Sequence, residues 1–337
     1  MKAVCITGVG LVTSLGVGRE AHLPLRPRVL DEASFAPWPV HPLPALAMDA
    51  AIPRREYRQM ETLQRLGTYA AGLALADAGA TGLVADMDLM VAVGGGERDA
   101  ALDEAIQTEL LDLPAEQREA HLHRRLGAGL RPTLFLAQLP NLLAGSISIV
   151  HGVGGSSRTL MGEEGAGAEA LRVAAARVAA GTARRVLVGA ASQPARWETL
   201  LMFAPFLHQG AWSPVSHRKN AILGAQAAFL VLESAEEAAA RGAPVLARLS
   251  GITVTFTEHD LPDWMTARPG GINVSARSVT HLDGDEWLAD SIGAGLEAAF
   301  PVGVALAALR VAAGAGAIHV HGMGLDQGEF STLVEPA

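Results

Sequence analysis

The chain has 337 residues, 50% of them hydrophobic and 18% charged, with a net charge of −9. That balance suits a well-buried α/β core and argues against nucleic acid as the main partner. One cysteine excludes an internal disulfide and fits a reducing cytoplasm, and outside Ala/Gly-rich amphipathic stretches no apolar run is long enough to span a membrane, nor is a signal peptide visible.

Residues 2–16, KAVCITGVGLVTSLG, predict a strand followed by a glycine turn. Gly8-x-Gly10 is part of a dinucleotide fingerprint, but Thr13 stands in place of the third glycine. No acidic ribose-binding residue follows at a strand end, since Asp31 and Glu32 fall in a Pro-rich stretch. A nucleotide-dependent reading rests on these two glycines alone. Cys5 reads as a small core residue of the strand. Residues 19–53 predict a Pro-rich surface loop, and residues 54–80 an amphipathic helix ending near Gly79. MDLMVAVGGG, Met87 to Gly96, predicts a buried strand running into a glycine turn. Ala100 to Gly129 predicts a charged helical excursion. Its cluster of Arg118, His121, His123, Arg124 and Arg125 reads as a solvated face, with a carrier-protein contact or a metal site as alternatives. His121 and His123 are two apart and would diverge on a helix.

Gln138 to Ser192 organises the rest: apolar segment, Gly/Ser loop, tight turn, long helix, buried strand. Gly167 to Ala180 is rich in strong helix formers, with Ala168, Leu171, Ala174, Ala175 and Val178 at helical spacing and Gly181 as a stop. Glu163 and Glu164 lie just before it, where free N–H groups favour an anion. Arg184 and Arg185 lead into the buried strand VLVGA. Residues 193–220 read as loop. His319 and His321 alternate on a late strand and share a face, but no third ligand is near, so no metal is expected. Acidic pairs such as Asp283–Asp285 have no spacing that opposes two carboxylates. No G-x-S-x-G elbow, Walker loop or H-E-x-x-H motif is present, and no cofactor is expected.

Several of these stretches resemble the β-ketoacyl synthases of the thiolase-like kind. NLLAGSISIVHG, Asn141 to Gly152, is similar to N-x-x-A-G-x-I-S-I-x-x-G, and GEEGAGAEAL, Gly162 to Leu171, aligns with T-A-C-x-x-G-x-x-A-I. Residues 2–16 resemble the family's opening strand, 54–80 its R-R-x-D-R helix, and 222–252 its V-L-E-x-x-x-x-A-x-x-R-G-A run, matching at Glu233, Ala238, Arg241, Gly242 and Ala243. The resemblance implies an α/β thiolase-like fold with duplicated βαβαβ halves in five α-β-α-β-α layers. It divides one compact unit into an N-terminal half, 1–245, and a shortened C-terminal half, 246–337. Identity between the halves is too weak to see in the sequence.

The chemistry-bearing positions depart from the family. Glu164 falls at the nucleophilic cysteine, and a carboxylate cannot carry an acyl group through repeated condensation. SARSVTHLDGD, Ser275 to Asp285, puts Ala276 at the first histidine, with His281 as a displaced candidate. LEAAFPVG, Leu296 to Gly303, puts Glu297 at the second. Lys2 and Lys219 are the only lysines, so the family's lysine has no counterpart either. The closing turn, His321 to Gly328, lacks the family's phenylalanine gate and asparagine. The pattern resembles a chain-length factor of a bacterial type II polyketide synthase, and the short chain resembles the partner subunits of polyene-forming systems. That implies a heterodimer with a catalytic ketosynthase, an acyl carrier protein as a further partner, and no intact catalytic residue. It also implies an interface made by residues 130–150, where two strands pair across a two-fold, with Thr133, Phe135, Gln138, Leu139 and Asn141 near the end of the partner's acyl tunnel. The alternative is an enzyme that uses Glu164 as a general base or in malonyl-carrier decarboxylation.

Overall fold

The computed structural model describes residues 2–255, 271–276, 286–325 and 328–337. Ten strands carry the architecture. The first five are β1 (Val4–Thr13), β2 (Asp88–Ala92), β3 (Ser157–Leu160), β4 (Arg185–Ser192) and β5 (Gln226–Ser234). The second five are β6 (Ala247–Thr255), β7 (Ile272–Asn273), β8 (Glu286–Trp287), β9 (Ile318–Met323) and β10 (Glu329–Glu335). Eight helices matter below: α1 (Thr62–Asp77), α2 (Ala100–Leu111), α3 (Ala115–Gly129), α4 (Pro132–Ala137), α5 (Asn141–His151), α6 (Glu163–Ala179), α7 (Trp197–Phe203) and α8 (Ala299–Ala312).

The duplication hidden in the sequence is plain in the topology. From the centre outward the first sheet runs β1-β5-β4-β2-β3, and the second runs β6-β10-β9-β7-β8. Numbered within its own half, each order is 1-5-4-2-3. The pairing sense repeats too: antiparallel for the first two junctions, parallel for the last two. β1 and β6 join the sheets through Val4–Ile6 and Ala247–Leu249. This is a duplicated thiolase-like α/β fold.

Strand alternation sorts the side chains into layers. Met90, Val188 and Leu230 face inward onto α6 and α8, with Leu171, Ala174, Phe300 and Val304 in one buried cluster. Leu89, Val91, Leu187 and Phe229 face the other way, onto α1 and α5. Both faces of the first sheet are covered, which is why β4 and β5 read as continuous apolar runs.

Five expectations need correction. The predicted turn around Gly8 and Gly10 is part of β1 itself. A Cβ on Gly8 would come within 2.4 Å of the Ala74 carbonyl oxygen, and one on Gly10 within 1.9 Å of that of Ala70. The glycines let α1 lie close against the strand, and no phosphate-cradling loop exists there. The helix predicted over 54–80 is broken: Arg54–Tyr57 forms one turn, and α1 starts afresh after Glu61 in a capping box with Gln64. Residues 193–220 contain α7, and the Pro-rich loop contributes Val40–His41, which pairs with Leu223–Gly224. Finally, residues 132–137 and 141–151 are helical, so no strand of this segment can pair across a two-fold. The strand at the sheet edge is β3, with Ser157 and Arg158 exposed.

Candidate functional site

The chain leaves β3 through Met161 and Gly162, whose φ of 132° suits glycine. It then enters α6 at Glu163, a non-glycine residue at φ 49°. A side chain held in the left-handed region is strained by on the order of 1–3 kcal/mol and persists only where surrounding packing fixes it. The same geometry recurs opposite, at Leu296, with φ 47°. Two strained turns therefore meet where α6 packs on the short helix Leu296–Ala298. Gly167 permits the approach, because a Cβ there would lie 2.0 Å from the Glu297 carbonyl oxygen.

Glu164 points inward from this turn and is fully buried. Its Oε2 accepts the backbone N–H of Leu325 at 3.2 Å. Burial pushes its carboxyl up to about 8; nearby Glu163 and Glu297 add to the rise, while its own N–H and that of Leu325 oppose it. Glu297 is also buried, and burial raises its carboxyl to about 7, with Arg196 and the Glu163 N–H opposing. Gly94 makes room for it, since a Cβ there would sit 2.6 Å from Glu297 Oε1. Two neighbouring acids thus share a desolvated site that resists holding two charges.

A cavity of about 520 Å³ opens beside this pair, lined by Glu163 and Glu297 together with Arg196, Met202, Phe203 and the glycine turn Gly94–Gly96. Glu164 lies behind that wall. Arg196 donates from Nη2 to Thr199 Oγ1 at 3.1 Å and lies 3.6 Å from Glu198, facing the cavity from the start of α7. The cavity is therefore an apolar-floored recess with three glutamates, Glu163, Glu198 and Glu297, and two arginines, Arg98 and Arg196, on its walls. Such a recess fits a small polar head on an apolar tail.

The sequence-predicted residues are distributed as follows. Glu164 and Glu297 converge. Ala276 is buried in an adjacent apolar cluster with Leu296 and Leu325. His281 lies outside the described residues, as do Asp283 and Asp285. Thr133, Phe135, Gln138, Leu139 and Asn141 are all exposed on and after α4, and none lines the cavity. Phe135, Leu136, Leu139, Ile149 and Met161 leave large apolar side chains in solvent, with Phe135 and Ile149 69% and 73% exposed. Cys5 is buried in β1. His121 Nε2 meets Glu109 Oε2 at 2.6 Å and Arg125 Nε reaches the same oxygen at 2.8 Å, so this part of the basic cluster braces the α2–α3 hairpin. His319 and His321 stack at 5.0 Å. Among the described residues no group of three or more His, Cys, Asp and Glu could hold a metal ion, and no helix is long and apolar enough to cross a membrane.

Sequence reasoning missed Arg196 and Leu325 as members of the site. Arg196 belongs to no motif, and a backbone donor leaves no trace in residue type.

Comparison with known proteins accords with this geometry. Residues 47–238 match the family profile described as Beta-ketoacyl synthase, N-terminal domain. Nodulation protein E of Rhizobium leguminosarum bv. trifolii is 34% identical over 130 residues, 36% of this chain and 31% of that one, so the match spans about a third of either protein. A β-ketoacyl synthase from Burkholderia phymatum STM815 superposes with a TM-score of 0.77 at 19% identity over the full length of both chains. The ishigamide ketosynthase/chain length factor superposes at 0.76 with 17% identity, covering 100% of this chain and 99% of that one. A ketosynthase from a complex with its type II acyl-carrier protein, bound to the hexaketide, superposes at 0.75 with 17% identity and the same coverage. At these identities the structural matches speak for the fold.

Proposed function

The chain belongs to the β-ketoacyl synthase family, and within it we propose a non-condensing subunit: a chain-length-factor-like partner that pairs with a catalytic ketosynthase and shapes the space into which its acyl or polyketide chain grows. The observation that carries this reading is Glu164. At the start of α6 stands a fully buried carboxyl, held by the Leu325 N–H and lifted to about 8, so it is mostly protonated at neutral pH. A buried, mostly neutral carboxyl is no acyl-carrying nucleophile, and the chain's one thiol is sequestered in β1.

The partner half of the proposal rests on the exposed side chains from Phe135 to Met161 and on the open edge of β3. An apolar patch and an unpaired sheet edge on one side suit a ketosynthase-like partner. Thr133, Gln138 and Asn141, exposed beside Phe135 and Leu139, would then reach toward that partner's acyl tunnel, and an acyl carrier protein would deliver the chain. The narrower form of this proposal is a polyene-forming system. The test is co-expression with a catalytic ketosynthase from the same gene neighbourhood. A co-purifying pair whose product shortens when Leu139→Trp is introduced supports the reading. A stable soluble monomer that never co-purifies with such a subunit counts against it.

One observation favours a second reading. Glu297 faces the cavity beside Arg196, and a carboxyl near 7 can exchange a proton at working pH. The protein would then assist malonyl-carrier decarboxylation or a related acyl reaction. Carbon dioxide release above background that falls in Glu164→Ala and Glu297→Gln would establish it. Equal background rates would remove it.

A further inference from the structure

β1 and β6 join the two sheets over a short stretch only, through Val4–Ile6 and Ala247–Leu249. The chain before Val4 leaves the ladder, because the Lys2 N–H donates to the Ala179 carbonyl oxygen at 2.9 Å and so caps α6. β6 runs on to Thr255, paired on its other side with β10. Among the described residues no strand covers its β1-side edge from Ser250 onward. A cavity of about 560 Å³ lies in this seam, with Ser250, Gly251 and Ile252 in its wall. Its floor is α6, where Arg172, Ala175, Ala176 and Ala179 stand at helical spacing on one face. The helix carries Ala179 about 22 Å from Glu164, so this cavity is remote from the acid pair.

Lys2, Arg172 and Arg248 line the seam cavity, with Glu335 as its one carboxylate. On a chain of net charge −9 that is a local reversal of sign. Arg172 is held by Glu169 through two bonds of 2.6 Å. Glu335 Oε2 accepts the Ser250 hydroxyl at 2.6 Å. Lys2 Nζ stands 3.9 Å from Glu236 Oε2, with both side chains open to solvent, a contact that water screens. Arg248 is exposed and enters no ion pair among the described residues. Lys2 and Arg248, one from each strand of the seam, are therefore available to an anion.

We propose that the seam cavity binds a nucleoside monophosphate. The phosphate sits between Lys2 and Arg248, whose planar guanidinium matches phosphate oxygens in pairs. The base lies flat on the methyl groups of Ala175, Ala176 and Ala179. Its polar edge meets the uncovered backbone of β6, which offers N–H and C=O groups on a side where no strand pairs with it. Each part of the ligand answers a separate feature: two available cations, a flat apolar floor and an open strand edge. An inorganic anion would use only the first, and a neutral apolar compound only the second. The volume suits one such small molecule. Gly8 and Gly10 take no part, since both are packed under α1. The assignment is independent of what Glu164 and its cavity do.

The probes are AMP, adenosine and inorganic phosphate, titrated into the full chain by calorimetry. The variants are Arg248→Gln and Ala176→Trp, both at exposed positions, so the fold tolerates them. Ala180→Trp, exposed just past the end of α6 and outside the cavity, is the control. AMP should bind the wild type about tenfold more tightly than adenosine or phosphate does. Arg248→Gln should weaken AMP about tenfold and leave adenosine unchanged. Ala176→Trp, which fills the floor, should abolish binding of both, and Ala180→Trp should behave as wild type. Absence of AMP binding to the wild type at millimolar concentration overturns the proposal. AMP binding that either cavity variant leaves unchanged, or that Ala180→Trp weakens as strongly as Ala176→Trp, also overturns it, because the ligand would then sit elsewhere. Phosphate binding as tight as that of AMP overturns the nucleoside assignment.

Discussion

The backbone N–H of Leu325 reaches Oε2 of Glu164 across 3.2 Å of space and 161 positions of sequence. It ties the closing turn of the C-terminal half to the helix that begins at the centre of the N-terminal half. The carboxyl so held is neutral below its raised pKa and faces a second buried acid, Glu297. This arrangement makes stability depend on pH.

Glu164 rises from an ordinary value of 4.5 to about 8 on folding. A raised acid binds its proton more tightly when folded, so its stabilising effect is complete at low pH. Between about 4.5 and about 8 the unfolded chain has released the proton and the folded one has not, so stability falls as pH rises through that window. Denaturant unfolding should show wild-type protein losing on the order of 2–4 kcal/mol from pH 5 to pH 8.5. Glu164→Gln should flatten most of that slope, and Glu297→Gln part of the remainder. A slope unchanged in Glu164→Gln would mean that this carboxyl is not the desolvated group described.

Gly167→Ala should be costly. Its Cβ would meet the Glu297 carbonyl oxygen at 2.0 Å, and backbone cannot yield as a side-chain tip can. We expect about 2–3 kcal/mol lost, with the α6 turn displaced. Gly145→Ala in α5 meets nothing within 4 Å and should gain about 0.5–1 kcal/mol from helix propensity. Urea midpoints of the two variants should move in opposite directions.

How much of this was legible in the sequence depends on whether a feature is written in residue type. β1, β2, β4, α6 and the run through β5 into β6 carry apolar periodicity and matching motifs, and the structure places them accordingly. The glycines at 8 and 10 were misleading because a residue type that permits a turn equally permits a helix to lie close on a strand. The break before α1 was missed because Glu61 and Gln64 form their capping box inside a stretch that is helix-compatible throughout. Residues 130–150 are apolar enough to suit a strand or a helix, and only packing decides between them. At the site, Glu164 and Glu297 were legible from alignment. Their desolvation was not, since it depends on the close packing that Gly94 and Gly167 permit.

Arg241→Ala should destabilise through a group far from the cavity. Glu233 is fully buried, accepts from Thr7 Oγ1 at 2.6 Å and is paired with Arg241 Nε at 2.8 Å. Removing the arginine strands a buried carboxylate, a loss of about 3–5 kcal/mol. Arg241→Ala combined with Glu233→Gln should recover part of that loss in thermal melts. No recovery would show that the arginine acts through packing alone.

Phe135→Lys and Ile149→Glu place charge on the exposed apolar face. Each should leave the melting temperature within a few degrees of wild type while reducing self-association of the isolated protein in size-exclusion chromatography. Both should abolish co-purification with the ketosynthase partner. Retained co-purification would move the partner surface elsewhere.

The account turns on a family member that handles acyl chains without bonding to them. Intact-mass spectrometry after incubation with acyl-carrier or acyl-thioester donors tests this most directly. The account predicts no mass increment on the wild-type chain and none on Glu164→Gln. A stable acyl adduct on the wild type, lost in Glu164→Gln or mapped to Cys5, would contradict it.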